Sequence, residues 1–174
     1  MRTFLSFSPV HRAAEAELSH YRHAVDLALT YFGLGKQFTL PELLDAMRTT
    51  YKCHIELFAY PNMPPPYTGT TFVTPRYIAI YYRSDVAVSH AYQIICHEIV
   101  HILRGHEGHD YTQLQLRWPS LFVPLAALNL EGQVRLCNRT QFDRPQEFEA
   151  EYSGTYLATK LIPTNEFMSS LIKM

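Results

Sequence analysis

The pentad His97-Glu98-Ile99-Val100-His101 restricts the fold more tightly than any other stretch of this chain. On an α-helix, residues four apart project from nearly the same side one turn apart, so both imidazoles can reach a single metal ion. Zinc is the ion this donor set suits, and a carboxylate held beside a water that zinc activates, as Glu98 would be, can take its proton at neutral pH. A catalytic zinc site also needs a third protein ligand, so another part of the chain must fold back onto this helix.

The helix itself is legible. From Val86 to Leu103 the chain reads VAVSHAYQIICHEIVHIL, without Gly or Pro and with Ile94, Ile95, Ile99, Val100, Ile102 and Leu103 around the motif. Asp85 is placed to cap its start, and Gly105 to stop it after Arg104. Two histidines and a glutamate in so apolar a setting need partners to offset their desolvation; zinc is one, and hydrogen bonds within a core are the alternative.

The chain around this helix has 174 residues, 47% of them hydrophobic, which suits a single domain (residues 1–174) with a real core. With 15 basic and 16 acidic residues the net charge is −1, so no basic footprint for nucleic acid or an anionic membrane is present. Cys53, Cys96 and Cys137 are odd in number and lack close spacing, which points to a reducing compartment. No stretch has the apolar length of a signal peptide or membrane span, and the expectation is a cytoplasmic protein.

In order, the apolar spacing of Ala14, Leu18, Tyr21, Val25, Ala28 and Phe32 predicts a helix over Pro9 to Phe32, ended by Gly33 and Gly35. Thr39-Leu40-Pro41 opens a second, with Leu43, Leu44 and Met47 on its apolar face. Cys53 to Tyr60, Thr71 to Thr74 and Tyr77 to Tyr82 read as strands. The fold class is therefore α+β: a small, mostly antiparallel sheet packed with helices, leading into the His97–His101 helix. Were Tyr77–Tyr82 at the sheet edge beside the metal, it would hold an extended peptide by main-chain hydrogen bonds; otherwise its side chains face the core. Trp118, Pro119 and the run Phe122 to Leu130 either cover the core or line a pocket or partner surface, core being favoured, and Cys96 is assigned to packing as a small apolar residue.

Two places compete for the third ligand. His106, Glu107, His109 and Asp110 follow Gly105 directly, but depend on how a short loop turns and read as solvated residues or contacts behind the ligands. Asp143 to Pro163 reads as another helix, with Asp143 as cap, Pro145 in the first turn, and Glu147 and Glu151 sharing a face one turn apart. This second place is favoured, because a ligand on a separate helix closes the site in three dimensions. The third histidine and the glycine of the longer zinc signature are absent, their positions holding Glu107 and Arg104.

HEIVHILRGH (His97 to His106), followed by EFEAE (Glu147 to Glu151) and KLIP (Lys160 to Pro163), resembles the ImmA/IrrE family of zinc metallopeptidases over roughly the second half of the chain. The resemblance implies a zincin-like fold with a second ligand-bearing helix, His97 and His101 as ligands, and Glu98 as catalytic base. It implies Glu147 as third ligand, because it stands three residues before Ala150. Glu151 would then orient a ligand imidazole through its free ring nitrogen. The family often carries Asn or Asp where Glu151 stands, and the stretch to Pro163 is about one helical turn longer than usual. The choice among Glu147, Glu149 and Glu151 stays open, with Glu149 last because it lies roughly opposite the other two.

The expected function is a zinc-dependent endopeptidase acting on a protein substrate, the resemblance implying a helix-turn-helix repressor. His90, Tyr92 and Arg104 are candidate donors for the oxyanion. A reading from another class is a regulatory binding module that uses zinc without cutting and sequesters a partner protein. A third, a nuclease-associated or antirestriction domain, is disfavoured by the lack of a basic stripe.

Overall fold

The computed structural model describes residues 9–63, 65, 67–106, 135–138 and 144–164. Their order is α1 (Pro9–Tyr31), α2 (Leu40–Tyr51), β1 (His54–Tyr60), β2 (Gly69–Val73), β3 (Tyr77–Arg83), α3 (Val88–Arg104), β4 (Arg135–Asn138) and α4 (Arg144–Ala158). The fold is α+β. The four strands form one sheet in the order β1-β3-β2-β4. β1 runs parallel to β3, whereas β2 is antiparallel to both β3 and β4.

Alternation along the strands sorts side chains between two faces. Ile78, Ile80 and Tyr82 of β3 line one face with Ile55 of β1, and this face joins the core formed by Ile94, Ile95, Ile99 and Val100 of α3. The opposite face is also buried: Phe58 stacks on Tyr81 with ring centroids 4.7 Å apart, and Phe72 meets Tyr81 edge-on. β3 is thus an interior strand, hydrogen-bonded on both sides, and the expectation that Tyr77–Tyr82 forms an edge for a peptide does not hold. Its continuous burial is what a central strand requires, and among the described residues the edges belong to β1 and β4.

The helix ends show which local signals prevailed. Thr39 caps α2 in a full capping box: its hydroxyl accepts the Glu42 N–H, and the Thr39 N–H donates to the Glu42 carboxylate at 2.7 Å. α3 begins at Val88 after Ala87, which offers no side-chain cap. Asp85, expected as the cap, is instead ion-paired with Arg83 at 2.7 Å, and a guanidinium two residues away outcompetes an exposed helix start. Gly105 ends α3 at φ 61°, a left-handed conformation that favours glycine. The proposed Asp143 cap lies outside the described residues, as do His109, Asp110, Trp118 and the Phe122–Leu130 run.

α1 buries Tyr21, Val25 and Leu29 and packs against α4. Phe38 and Leu161 form a single parallel bridge, with the Ile162 N–H donating to the Phe38 carbonyl at 2.8 Å; this ties the entry of α2 to the exit of α4. α4 packs extensively on α3. The reason is Gly154: a Cβ there would lie 2.8 Å from both the backbone N and Cα of His97, so the helices cross backbone against backbone. Among the described residues no helix is long and apolar enough to cross a membrane.

Candidate metal centre

Two helices build the site. α3 carries His97, Glu98 and His101, which are 6%, 2% and 1% exposed, so the three polar groups of the pentad lie inside the core. α4 crosses at Gly154 and runs so that Glu147 and Glu151, two turns and one turn before it, reach the same imidazoles. The Glu147 carboxylate lies 3.4 Å from His101 Nε2 and 3.6 Å from His97 Nε2. Ligand atoms of His97, His101 and Glu147 all fall within 4.8 Å of one another, a group able to hold a metal ion.

Neighbouring groups bias the tautomers. Glu151 Oε2 lies 3.3 Å from His97 Nδ1, and a carboxylate beside that nitrogen favours the tautomer with the proton on Nδ1. On the other side, His106 Nε2 lies 3.5 Å from Glu149 Oε2, and His106 Nδ1 is 2.9 Å from His101 Nδ1. Burial pushes the His106 imidazole below its ordinary pKa, against the upward pull of Glu149, so the ring is neutral at pH 7 with its proton toward the carboxylate. Its Nδ1 lone pair then accepts the Nδ1–H of His101. In those tautomers both imidazoles present an unprotonated Nε2, and these two atoms face each other at 2.9 Å beside a carboxylate. Two lone pairs held that close repel unless a cation or proton lies between them. Two neutral imidazoles, each with a side chain behind it, and a carboxylate form a donor set that fits zinc.

Position separates the three glutamates. Glu147 closes the group, while Glu149 turns away to pair with Arg104 and His106. Glu151 stands behind His97, with its side chain 60% exposed. His106 is not in the ligand group; of the two readings the sequence left open for it, solvated residue or contact behind the ligands, its place behind His101 is the second. The available signal was Gly105: its left-handed turn lets the His106 N–H donate to the His101 carbonyl at 3.0 Å and brings the two rings to 5.0 Å. Gly154, an isolated glycine inside a helical pattern, was the other overlooked signal.

Beside the centre lies a recess of about 30 Å³, lined by Thr68, His90, Gln93, His97, Glu98 and Glu151 among others. A polar hollow of that size can hold a water molecule. Of the three candidate oxyanion donors, His90 lines this recess, Arg104 is engaged by Glu149, and Tyr92 is buried toward the end of α4.

No family model, curated protein or solved structure matches this chain.

Cys96 is fully buried, its thiol pushed up by desolvation, and packs in the core as a small apolar residue.

Proposed function

We propose that the chain is a zinc-dependent endopeptidase. The observation that carries the reading is the convergence of His97 Nε2, His101 Nε2 and the Glu147 carboxylate, with the buried Glu98 carboxylate beside them on the same helix. Zinc, when bound, supplies a Lewis acid that polarises a peptide carbonyl and acidifies water.

The chain's own residues do the rest. His97, His101 and Glu147 hold the ion, and Glu151 and His106 keep the two imidazoles in the tautomer that leaves Nε2 unprotonated. Glu98 accepts a proton from the attacking water at its carboxylate and returns it to the leaving amine. His90, lining the recess beside His97 and Glu98, is placed to donate a hydrogen bond to the developing oxyanion. The substrate is a protein segment. The resemblance of HEIVHILRGH and EFEAE to the ImmA/IrrE family supports a helix-turn-helix repressor as that substrate, in the cytoplasm.

The test uses purified protein reconstituted with zinc and assayed for metal content and for cleavage of repressor and generic protein substrates. About one zinc per chain is expected, since the donor set forms one site. Glu98→Gln is expected to keep the metal and lose cleavage by roughly 100-fold or more, the usual worth of a general base. His101→Ala is expected to lose both. Wild-type protein that holds zinc, cuts nothing and still binds its partner would replace the peptidase with a zinc-containing binding module.

A further inference from the structure

Glu98 takes a hydrogen bond from outside its own helix. Its neighbours on α3 at four residues either side are Ile94 and Ile102, and at three are Ile95 and His101, a residue already committed to the metal group. A glutamate side chain has three rotatable bonds, and a fixed donor narrows the positions it can take. The sheet supplies one. Gly69, Thr71 and Val73 occupy one face of β2, and on that face Thr71 Oγ1 donates a hydrogen bond of 2.8 Å to Glu98 Oε2. Two residues earlier, a Cβ on Gly69 would lie 2.7 Å from Glu98 Oε1 and 2.8 Å from Ile94 Cγ2. One strand face thus provides a donor for one carboxylate oxygen and empty space for the other.

We infer that Thr71 is the positioning residue for Glu98, with Gly69 keeping the space its carboxylate occupies. This rests on the reading of Glu98 as the general base. Three features fit positioning rather than packing. Thr71 is fully buried, where valine would fill the same volume without a hydroxyl to satisfy. Its strand is fixed on both sides, Thr71 pairing with Ile80 and Cys137. Its branched side chain has a stiff first torsion, so the donor direction is set by the sheet. A general base must stand within about 2.6–3.2 Å of the proton it removes, and a hydrogen bond from a rigid strand is how a mobile glutamate meets that limit.

The test is a double-mutant cycle on zinc-loaded protein, read by the binding of acetohydroxamate, a small zinc chelator that offers a proton to an adjacent carboxylate. Thr71→Val is expected to weaken acetohydroxamate roughly 10- to 100-fold, the worth of a hydrogen bond to a charged group. Thr71→Ser should restore most of the affinity, and zinc affinity should be unchanged in all variants. In a Glu98→Gln background, Thr71→Val should add little, because the two residues act as a unit. If Thr71→Val does not fold, Thr71→Ala carries the same cycle. With a cleaved substrate, Thr71→Val should lower kcat and leave KM in place. Equal losses from Thr71→Val with and without Glu98, or no loss at all, would overturn the positioning role and leave the peptidase reading standing. Coupling in acetohydroxamate binding together with a wild-type protein that cuts nothing would do the reverse.

Discussion

The Nδ1 atoms of His101 and His106 lie 2.9 Å apart, and on the proposed reading this contact tunes how strongly the centre would grip a cation. Without His106, the buried Nδ1–H of His101 loses its acceptor among the contacts described, and the proton can shift to Nε2, where it blocks the metal. His106→Ala is therefore expected to weaken zinc binding about 10- to 100-fold, the usual effect of removing the group behind a ligand imidazole. Competition against a chelator measures it, and an unchanged affinity would show that the tautomer is fixed elsewhere. Glu149→Gln should follow in the same direction more weakly, since an amide oxygen still accepts from His106. At this scale the sequence was informative where spacing alone decides geometry. His97, Glu98 and His101 were legible because four residues on a helix is a fixed displacement, and Glu147 with Glu151 for the same reason. His106 was not, because its place depends on the handedness of one turn at Gly105. Thr71 was not, because it meets Glu98 across 27 residues of chain.

Helices α3 and α4 meet where Gly154 touches the His97 backbone, and the geometry of the centre depends on that approach. Gly154→Ala sets two effects against each other. Alanine favours an isolated helix by roughly 1 kcal/mol, but an inserted methyl in a packed contact costs about 1–3 kcal/mol when the neighbour cannot yield. Here the neighbour is backbone, so the clash wins: the variant should be less stable to denaturant, and its zinc affinity should fall because Glu147 and Glu151 move with α4. Retained zinc affinity would mean that the helices adjust without moving the carboxylates. α4 is also tied to α1 by the Lys160 ammonium, 2.9 Å from Asp26, and by the Tyr156 hydroxyl, 3.0 Å from the same carboxylate. Burial alone would raise the Asp26 carboxyl, but Lys160 and Tyr156 outweigh it and hold the pKa below its usual value. A carboxyl depressed in the fold stabilises above its unfolded pKa of about 3.9 and loses that contribution as pH falls below it. Asp26→Asn should therefore cost well under about 1 kcal/mol at pH 7, the pair being half exposed, and should flatten the acid limb of the stability curve. Urea unfolding at neutral pH and near pH 3 checks both parts. The helices themselves were readable from apolar period and caps, Thr39 above all. The α3 start was displaced because Asp85 had a stronger partner in Arg83.

Across the whole molecule, the centre joins parts of the chain that have little else in common. β2 holds Glu98, α3 carries the histidines, and α4 supplies Glu147 and ties itself to α1. The two helices that meet at the centre were readable, but the order of the strands beneath them was not. Alternation tells which side chains share a face, but not that β1 skips β2 to lie parallel with β3, which depends on pairings between distant segments. A cation at such a junction binds only when these elements are assembled, so binding is linked to folding. With free zinc at about 100 times its dissociation constant, the linkage adds roughly 2.7 kcal/mol. For a chain of 174 residues, with about 2–4 °C of Tm per kcal/mol, the melting temperature should rise by roughly 5–11 °C. The same titration sorts the residues by role. Glu98→Gln should show nearly the full rise, because its carboxylate is beside the donor group and not part of it. His101→Ala should show almost none, and Gly154→Ala should show a reduced rise from a lower starting Tm. Melting curves across a zinc series distinguish these patterns. A rise that survives in His101→Ala would place the stabilising ion somewhere other than between α3 and α4.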